Sequence, residues 1–187
     1  MDSCAASPDH VHSQPLPADP IMISIHDSAR VSKLADIEDS VRGTRILIGA
    51  RSVVDAFVKI KPAGGTGDIL IGEDCVINAG CVLYSGHGIS LGDRVAIAAN
   101  CTLAPTNHEF ADASKPIRSQ GFRPSKGGVR IGDDAWIGAN CVLLDGADIG
   151  EGAVIGAGSV VRGKVEPYTV HAGNPLRQLG TRQPLSD

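Results

Sequence analysis

The chain has 187 residues, a formal net charge of −4 and a sequence pI near 5.8; 42% of its residues are apolar but only 3% are aromatic. This length allows one domain with a sizeable core, and the acidic balance argues against a general nucleic-acid-binding protein. Neither a signal peptide nor an apolar run of membrane-spanning length is visible, so we expect no membrane span. Residues 1–20 place Pro15, Pro17 and Pro20 among polar residues and are predicted to form a flexible arm, followed by one domain over residues 21–187.

Aliphatic residues recur every six positions from residue 25 onward. An amphipathic helix would repeat them at three and four, and a half-buried strand at two, so neither explains this spacing. A period of six is typical of a parallel β-helix, in which three short strands and three bends close each triangular coil. The inward positions predict six coils: Ile25, Val31 and Ile37; Ile48, Val54 and Ile60; Ile71, Ile77 and Leu83; Leu91, Ile97 and Leu103; Ile131, Ile137 and Leu143; Ile149, Ile155 and Val161. In the first and last coils a small or apolar residue follows each inward position by four: Ala29, Ala35 and Val41, then Ala153, Ser159 and Val165.

Every interruption of the repeat follows the third strand of a coil. The step lengthens to eleven after Ile37 and Ile60, to eight after Leu83 and to twenty-eight after Leu103. All insertions are therefore predicted to leave from one corner, where glycines serve the turns: Gly43, Gly64, Gly65, Gly67, Gly86 and Gly88. The longest insertion, about residues 104–130 after coil four, exceeds a plain connection and predicts a functional loop. Its excess of basic residues fits either a solvated loop or a basic lid over an anionic ligand.

Four cysteines occupy the small inward position of a hexad: Cys75, Cys81, Cys101 and Cys141. A buried free cysteine packs as a small hydrophobe, so we interpret these residues as core. Core thiols indicate a reducing compartment and predict a cytoplasmic protein. No zinc-binding spacing is present, and no metal is expected.

Two histidines and the single tryptophan mark the candidate site. His87 lies four residues after Leu83, and His108 lies five after Leu103, so both fall at the corner that carries the long insertion. Trp136 precedes an inward residue and should therefore point outward, on the first coil after the insertion. An outward tryptophan is typical of an interface or of a ligand-binding wall.

Three stretches carry a resemblance to a known family: GISLGDRVAIAANCTLAPTNHEF, KPIRSQGF and VRIGDDAWIGANCVLLDGADIGEGAVIGAGSVVRGKVEPYTVHAGNPLRQL. They resemble hexapeptide-repeat acetyltransferases of the left-handed β-helix type, most closely the maltose/galactoside and the O-antigen or lipopolysaccharide O-acetyltransferases. The similarity covers residues 71–179 in detail. It implies an all-β, left-handed parallel β-helix, acetyl-CoA as co-substrate, and a homotrimer with its sites between subunits. The N-terminal helical segment of the maltose and galactoside enzymes is not evident, which argues against that small-sugar subgroup.

The resemblance also implies roles for residues on the acceptor side. His108 matches the catalytic histidine, Asn78 matches an asparagine that contacts the acceptor sugar, and Trp136 matches the family tryptophan. A family carboxylate that binds the acceptor falls at Gly86 here and is missing. The neighbouring His87 is expected to bind the acceptor in its place.

On the coenzyme side the resemblance implies Ala139 and Ala157, whose backbone groups hold the pantetheine arm, and Arg177, which matches a family arginine. The match has two departures. A family lysine near the coenzyme's phosphates falls at Gly163, where either Arg162 or Lys164 is expected to take its place, and a second C-terminal arginine falls at Gly180.

The chemistry expected of His108 follows from the weakness of an alcohol as a nucleophile. A histidine with a pKa near neutrality can take the acceptor proton as the hydroxyl attacks the thioester, and then return it to the leaving thiolate. Backbone N–H groups or the Trp136 indole would stabilise the oxyanion. No serine or cysteine nucleophile elbow is present, so direct transfer is the simpler interpretation.

The predicted function is therefore acetyl-CoA-dependent O-acetylation of a sugar or surface polysaccharide. Three alternatives stay open at this point: N-acetylation of an amino sugar nucleotide, a non-catalytic trimeric β-helix assembly protein, and a zinc lyase of the γ-class carbonic anhydrase type. The last shares the fold, but its "GHxxxxH"-like spacing is absent after His87 and His108.

Overall fold

The period of six becomes a strand followed by a corner in the computed structural model, which describes residues 22–183. Each strand of the six predicted coils directs at least one aliphatic side chain inward, and the β-branched residues that dominate these positions favour an extended backbone. Three strands and three corners complete one coil, and the coils stack into a left-handed parallel β-helix. Residues 1–20, expected to form an arm, lie outside the described residues.

The strands, numbered in chain order, form three sheets that run along the faces of the helix. Sheet 1 contains β1 (Ile23–Ile25), β4 (Ile46–Ile48), β7 (Ile69–Ile71), β10 (Ile89–Leu91), β13 (Val129–Ile131), β16 (Ala147–Ile149) and β19 (Lys164–Val165). Sheet 2 contains β2 (Arg30–Val31), β5 (Val53–Val54), β8 (Val76–Ile77), β11 (Ala96–Ile97), β14 (Trp136–Ile137), β17 (Val154–Ile155), β20 (Thr169–Ala172) and the antiparallel β21 (Arg177–Thr181). Sheet 3 contains β3 (Asp36–Ile37), β6 (Lys59–Lys61), β9 (Val82–Tyr84), β12 (Thr102–Ala104), β15 (Val142–Leu144) and β18 (Val160–Val161).

The core is three columns of stacked side chains, one from each sheet. Parallel pairing aligns each inward residue with its equivalent in the next coil, as where Leu103 pairs with Leu83 on one side and Leu143 on the other. All twelve inward residues predicted for coils three to six are at most 4% exposed, which confirms that part of the prediction. Residues 131–165 contain no helix, and the one helical turn within residues 22–183 is a 3₁₀ segment at Ile117–Gln120.

The two ends of the β-helix differ from its middle. In the first coil Ile25 is 40% exposed, because no described residue covers that end, and Val41 is 99% exposed, so its assignment to an inward position was wrong. Val41 lies instead in the long corner between β3 and β4. At the other end β19 and β20 begin a seventh coil, and β21 folds back along β20.

The corner between sheet 3 and sheet 1, here called the insertion corner, takes up every irregular step of the repeat. Its successive segments are residues 38–45, 62–68, 85–88, 105–128, 145–146 and 162–163. The long loop is thus residues 105–128, slightly shorter than the predicted 104–130, because Ala104 ends β12 and Val129 begins β13. Gly65 does not have a positive φ; glycine is needed there because the backbone of the next coil approaches closely. A Cβ at this position would lie 2.0 Å from the Gly86 carbonyl oxygen.

Three core cysteines, Cys81, Cys101 and Cys141, stack at the corner between sheet 2 and sheet 3, here called the middle corner, whereas Cys75 lies at the corner between sheet 1 and sheet 2. Cys75, Cys81, Cys101 and Cys141 are free and fully buried, and each thiol donates to a main-chain carbonyl, as Cys101 does to Gly138 at 3.1 Å. Although the hydrogen bond with Cys141 favours its thiolate, the hydrogen bond with Cys81 and burial together raise the pKa of Cys101 to about 11. These thiols pack as core residues, as expected.

Candidate active site

His108 lies near the start of loop 105–128, where the chain doubles back on itself. A bridge pairs His108 with Phe122, and the Arg123 N–H donates to the Asn107 carbonyl at 2.8 Å. The imidazole packs against the Phe122 ring, with 4.6 Å between the ring centroids, and is otherwise exposed. The loop therefore presents an accessible histidine on a backbone that is held by hydrogen bonds within the loop, which is the arrangement that a general base requires.

The basic residues of the loop are partly neutralised by local carboxylates. Of the four basic residues in loop 105–128, two form ion pairs: Lys115 with Asp112 at 2.9 Å and Arg123 with Glu109 at 3.3 Å. Arg130, which follows the loop in β13, pairs with Asp148 at 3.4 Å. Arg118 and Lys126 form none within residues 22–183. The Arg123 guanidinium also stacks over Phe110, 4.2 Å from the ring centroid. Much of the basic charge therefore organises the loop itself.

His87 lies at the insertion corner one coil before His108, as predicted. Its side chain is only 20% exposed, and Nδ1 lies 3.4 Å from Oδ2 of Asp145. That nitrogen is buried and has no hydrogen bond of acceptable geometry within the described chain, so the 3.4 Å approach is a contact and not a formed bond. The ring faces the protein more than the solvent.

Four other predicted residues lie on sheet 2 or at the middle corner, one side of the triangle away from His108. Asn78 is half-buried and donates through Nδ2 to the Ile97 carbonyl at 2.9 Å, and within residues 22–183 nothing donates to its amide oxygen. Trp136 points outward from β14 and is 53% exposed. Ala139 and Ala157 follow β14 and β17, and within residues 22–183 neither peptide N–H has a hydrogen-bond acceptor. This edge offers free donors and an aromatic surface.

The three predicted basic residues line one cavity of about 490 Å³ between coil six and the C-terminal hairpin. Arg162 lies in the insertion corner two coils beyond loop 105–128, Lys164 follows that corner at the start of β19, and Arg177 reaches the cavity from β21. Glu166, whose Oε1 lies 2.9 Å from Lys164 Nζ, raises the pKa of that lysine. The cavity therefore carries three cationic side chains, of which one, Lys164, forms an ion pair within the described part of the chain.

A single chain does not bring all the predicted residues together. His87, His108 and the basic cavity share the insertion corner, whereas Asn78, Ala139 and Ala157 lie at the middle corner. Three residues were missed from the sequence: Asp145 beside His87, Phe122 against His108, and His171 in the cavity wall. Their hexad positions gave no signal, because each becomes a neighbour only when coils or loop ends meet.

Family models match two parts of the chain. A model described as bacterial transferase hexapeptide (six repeats) matches residues 128–163, and one described as hexapeptide repeat of succinyl-transferase matches residues 63–85 and 69–105. Residues 22–183 contain no helix with the length and apolarity needed to cross a bilayer. Within the same residues no group of three histidine, cysteine or acidic side chains could hold a metal ion.

Among curated relatives, the galactoside O-acetyltransferase of Escherichia coli K12 is 36% identical over 60% of this chain and 53% of its own length. WbbJ, a putative lipopolysaccharide biosynthesis O-acetyl transferase of the same strain, is 32% identical over 72% of this chain and 68% of its own. The chain thus spans about half the length of the galactoside enzyme, and only 38% of another matched relative, a probable acetyltransferase of Mycobacterium tuberculosis.

Two solved structures have the same architecture. AntD, an N-acyltransferase from Bacillus cereus solved with dTDP and 3-hydroxybutyryl-CoA, superposes with a TM-score of 0.72, covering 87% of this chain and 84% of that one. At 23% identity this likeness concerns the fold. A hexapeptide-repeat acetyltransferase from Vibrio cholerae O1 biovar eltor, complexed with acetyl coenzyme A, is 30% identical with a TM-score of 0.59 over 72% of this chain and 69% of that one.

Proposed function

The chain belongs to the hexapeptide-repeat acetyltransferase family, and on that premise we propose that it transfers the acetyl group of acetyl-CoA to a hydroxyl of a sugar or surface polysaccharide. The observation that carries the proposal is one edge of the molecule. An accessible imidazole, His108, and a cavity lined by three cationic side chains lie along the same insertion corner. A base and an anion-binding cavity on one edge are what transfer from a phosphorylated coenzyme needs.

His108 acts as the general base in this mechanism. Its neutral imidazole takes the proton of the acceptor hydroxyl while the oxygen attacks the thioester carbonyl. The tetrahedral intermediate collapses with cleavage of the carbon–sulfur bond, and the imidazolium returns the proton to the leaving thiolate. The packing of Phe122 against the His108 ring supports this role. It restricts the orientation of the imidazole, and because a phenyl ring has no hydrogen-bonding atoms it leaves the ring nitrogens available for proton transfer.

Acetyl-CoA is the proposed donor, and the residues present fit it. Arg162, Lys164 and Arg177 in the cavity wall would hold phosphate groups, because guanidinium and ammonium groups are the usual phosphate ligands. The free peptide N–H groups of Ala139 and Ala157 would donate to the amides of the pantetheine arm. The Vibrio cholerae relative, solved with acetyl coenzyme A, supports the same donor.

A homotrimer is proposed because the groups needed for one site lie at two corners of the chain. The outer faces support this assembly. Outward residues of sheet 2 form an apolar row: Val53, Val76, Ala96, Trp136 and Val154. Outward residues of sheet 3 in the later coils are mostly apolar too: Val82, Tyr84, Thr102, Ala104, Val142, Leu144 and Val160. Packing sheet 2 of one copy against sheet 3 of the next would bury both rows and close a ring.

The acceptor would then lie between His108 of one copy and Asn78 with Trp136 of the next. The free amide oxygen of Asn78 can accept from a sugar hydroxyl, and the indole supplies a surface for the apolar face of a sugar ring. The WbbJ and galactoside relatives, both named O-acetyltransferases, support a hydroxyl acceptor. N-acetylation of an amino sugar nucleotide is the competing proposal, and the acceptor assay distinguishes the two.

The test measures thiol release from acetyl-CoA with a panel of glycosides, polysaccharides, amino sugars and amino sugar nucleotides. We expect turnover with a hydroxyl acceptor, and we expect His108→Ala to lower kcat by about 10²–10⁴ while the protein stays folded. His26→Ala is the matched control, since His26 is an exposed histidine whose imidazole, within residues 22–183, forms hydrogen bonds only with Ser28. Activity of His108→Ala within about twofold of wild type would refute a base at this position.

Sharing of sites between copies has its own test. His108→Ala and Asn78→Ala proteins, unfolded together and refolded in equal amounts, should regain about a quarter of the wild-type sites if each site draws the two residues from different copies. Mixed oligomers with demonstrated subunit exchange and no activity above either parent would exclude the shared site.

A further inference from the structure

The end of the loop that carries His108 is tied to one buried carboxylate. Asp145, at the insertion corner of the next coil, is 4% exposed. Its Oδ2 accepts from the Lys126 N–H at 2.8 Å and its Oδ1 from the Gly128 N–H at 2.9 Å. Both oxygens of the carboxylate therefore hold the backbone of the last three residues of loop 105–128.

The start of the same loop is held by His87. Its peptide N–H donates to the Pro105 carbonyl at 2.9 Å, three residues before His108. Its imidazole turns the other way, so that Nδ1 lies 3.4 Å from Asp145 Oδ2. His87 thus contacts the first residue of the loop through its backbone and the anchor of the last residues through its side chain.

The buried nitrogen has an obvious partner. A polar atom without a hydrogen bond is costly to bury, and Nδ1 of His87 lacks a bond of good geometry within residues 22–183. Asp145 Oδ2 has a second lone pair beyond the one used by Lys126 and is the acceptor that Nδ1–H can reach with a small rotation of either side chain. Close packing leaves the loop ends little other freedom, since a Cβ at Gly128 would lie 2.4 Å from the Gly88 carbonyl oxygen.

We propose that His87 and Asp145 are a positioning pair, in which His87 Nδ1–H donates to Asp145 and the pair fixes both ends of loop 105–128 so that His108 is held ready to act. The proposal rests on the proposed function for the role of His108. It gives His87 a different part from the acceptor contact expected of it, because most of its side chain is covered and its ring is directed at Asp145. His87 then acts on the reaction only through His108.

The kinetic test compares His87→Leu, which removes the donor, with His87→Asn, whose side-chain N–H₂ can occupy the place of Nδ1. Misplacing a catalytic group costs roughly 10- to 100-fold in rate, so His87→Leu should lower kcat by that factor with little change in KM for acceptor or acetyl-CoA. His87→Asn should recover most of the loss. In a His108→Ala background, His87→Leu should cause no further loss, because both changes act on one function. An unchanged kcat with a raised acceptor KM, or losses that multiply in the double variant, would overturn the pair.

A second measurement does not depend on catalysis. Asp145→Asn keeps the shape of the side chain but can accept through only one oxygen, so hydrogen exchange should speed up at the Lys126 and Gly128 amides. Asp148→Asn is the matched control, since Asp148 is a half-buried aspartate whose partner Arg130 also lies 3.4 Å away. Unchanged exchange in Asp145→Asn would overturn the anchor. If His108→Ala retained full activity, the proposed function would fail, while the exchange result would still decide whether Asp145 holds the loop.

Discussion

Leu103→Ala tests whether the loop that carries His108 stands on a rigid core. Leu103 is the last inward side chain before loop 105–128 and is fully buried between Leu83 and Leu143. The substitution removes three carbons, and at about 0.8 kcal/mol each the lost transfer free energy is about 2.4 kcal/mol. The neighbouring leucines are fixed by ladder hydrogen bonds and cannot collapse fully into the space, so a cavity term adds to this. We expect a loss in the free energy of unfolding of about 3–4 kcal/mol.

Ile25→Ala is the matched control, because it also removes three inward carbons from the same β-helix. Ile25 is 40% exposed at the open first coil, so part of its transfer term is already absent and no closed cavity forms. We expect this change to cost about 1.5 kcal/mol. Urea unfolding at several protein concentrations measures both variants and separates folding from subunit association. Equal losses for the two variants would show that the interior does not pack as the structure indicates.

Three further predictions use single residues. At pH 8, Ellman's reagent should not react with Cys101 or Cys141 in the folded protein. Although the hydrogen bond with Cys141 favours the Cys101 thiolate, the hydrogen bond with Cys81 and burial raise the pKa of Cys101, and the hydrogen bond with Cys101 and burial raise that of Cys141. Unfolding in urea should make both thiols reactive, and rapid labelling of the native protein would contradict this. Arg177→Ala should raise the KM for acetyl-CoA roughly tenfold with little change in kcat, whereas Arg94→Ala, at another corner, should leave both unchanged. Trp136 is the one tryptophan, so its emission should be blue-shifted in the oligomer and move to the red on dissociation; an emission maximum already typical of solvent-exposed tryptophan in the oligomer would exclude it from the interface.

The coils could be predicted from the sequence because every sixth residue points into the narrow interior, where only an aliphatic side chain is accommodated. Ile77, Ile97 and Ile137 are fully buried, and each is stacked on its equivalent in the next coil, as the spacing required. Irregular steps in the repeat were equally informative, since a β-helix can absorb extra residues only at a corner. Val41 shows the limit: it kept the period but lies in an extended corner, where no ladder holds it inward.

The candidate site was only partly predictable, because its contacts join positions that the repeat treats as equivalent. Asp145 precedes a glycine in a two-residue corner, a position typical of an ordinary turn residue. In the structure it accepts a hydrogen bond from the end of a loop seventeen residues earlier, and it contacts His87 from two coils away. Conversely, Asn78 and His108 lie at different corners of one chain, although their expected roles require proximity. A period describes one chain, so it contains no information on contacts across loops or between copies.

The corner architecture explains how such a chain can combine a rigid scaffold with variable chemistry. The hydrogen-bond ladders and the apolar columns run along the helix axis, so both continue past an insertion: Leu103 pairs with Leu143 although loop 105–128 lies between them in sequence. Loop-closure entropy grows slowly with length, so enlarging a corner costs little stability. Positioning of a catalytic group on that loop then has to come from contacts outside the ladders. In this chain such contacts include Phe122 against the His108 ring and Asp145 at the end of the loop. Substitutions at these two residues should therefore alter catalysis more than stability, whereas those in the columns should do the reverse.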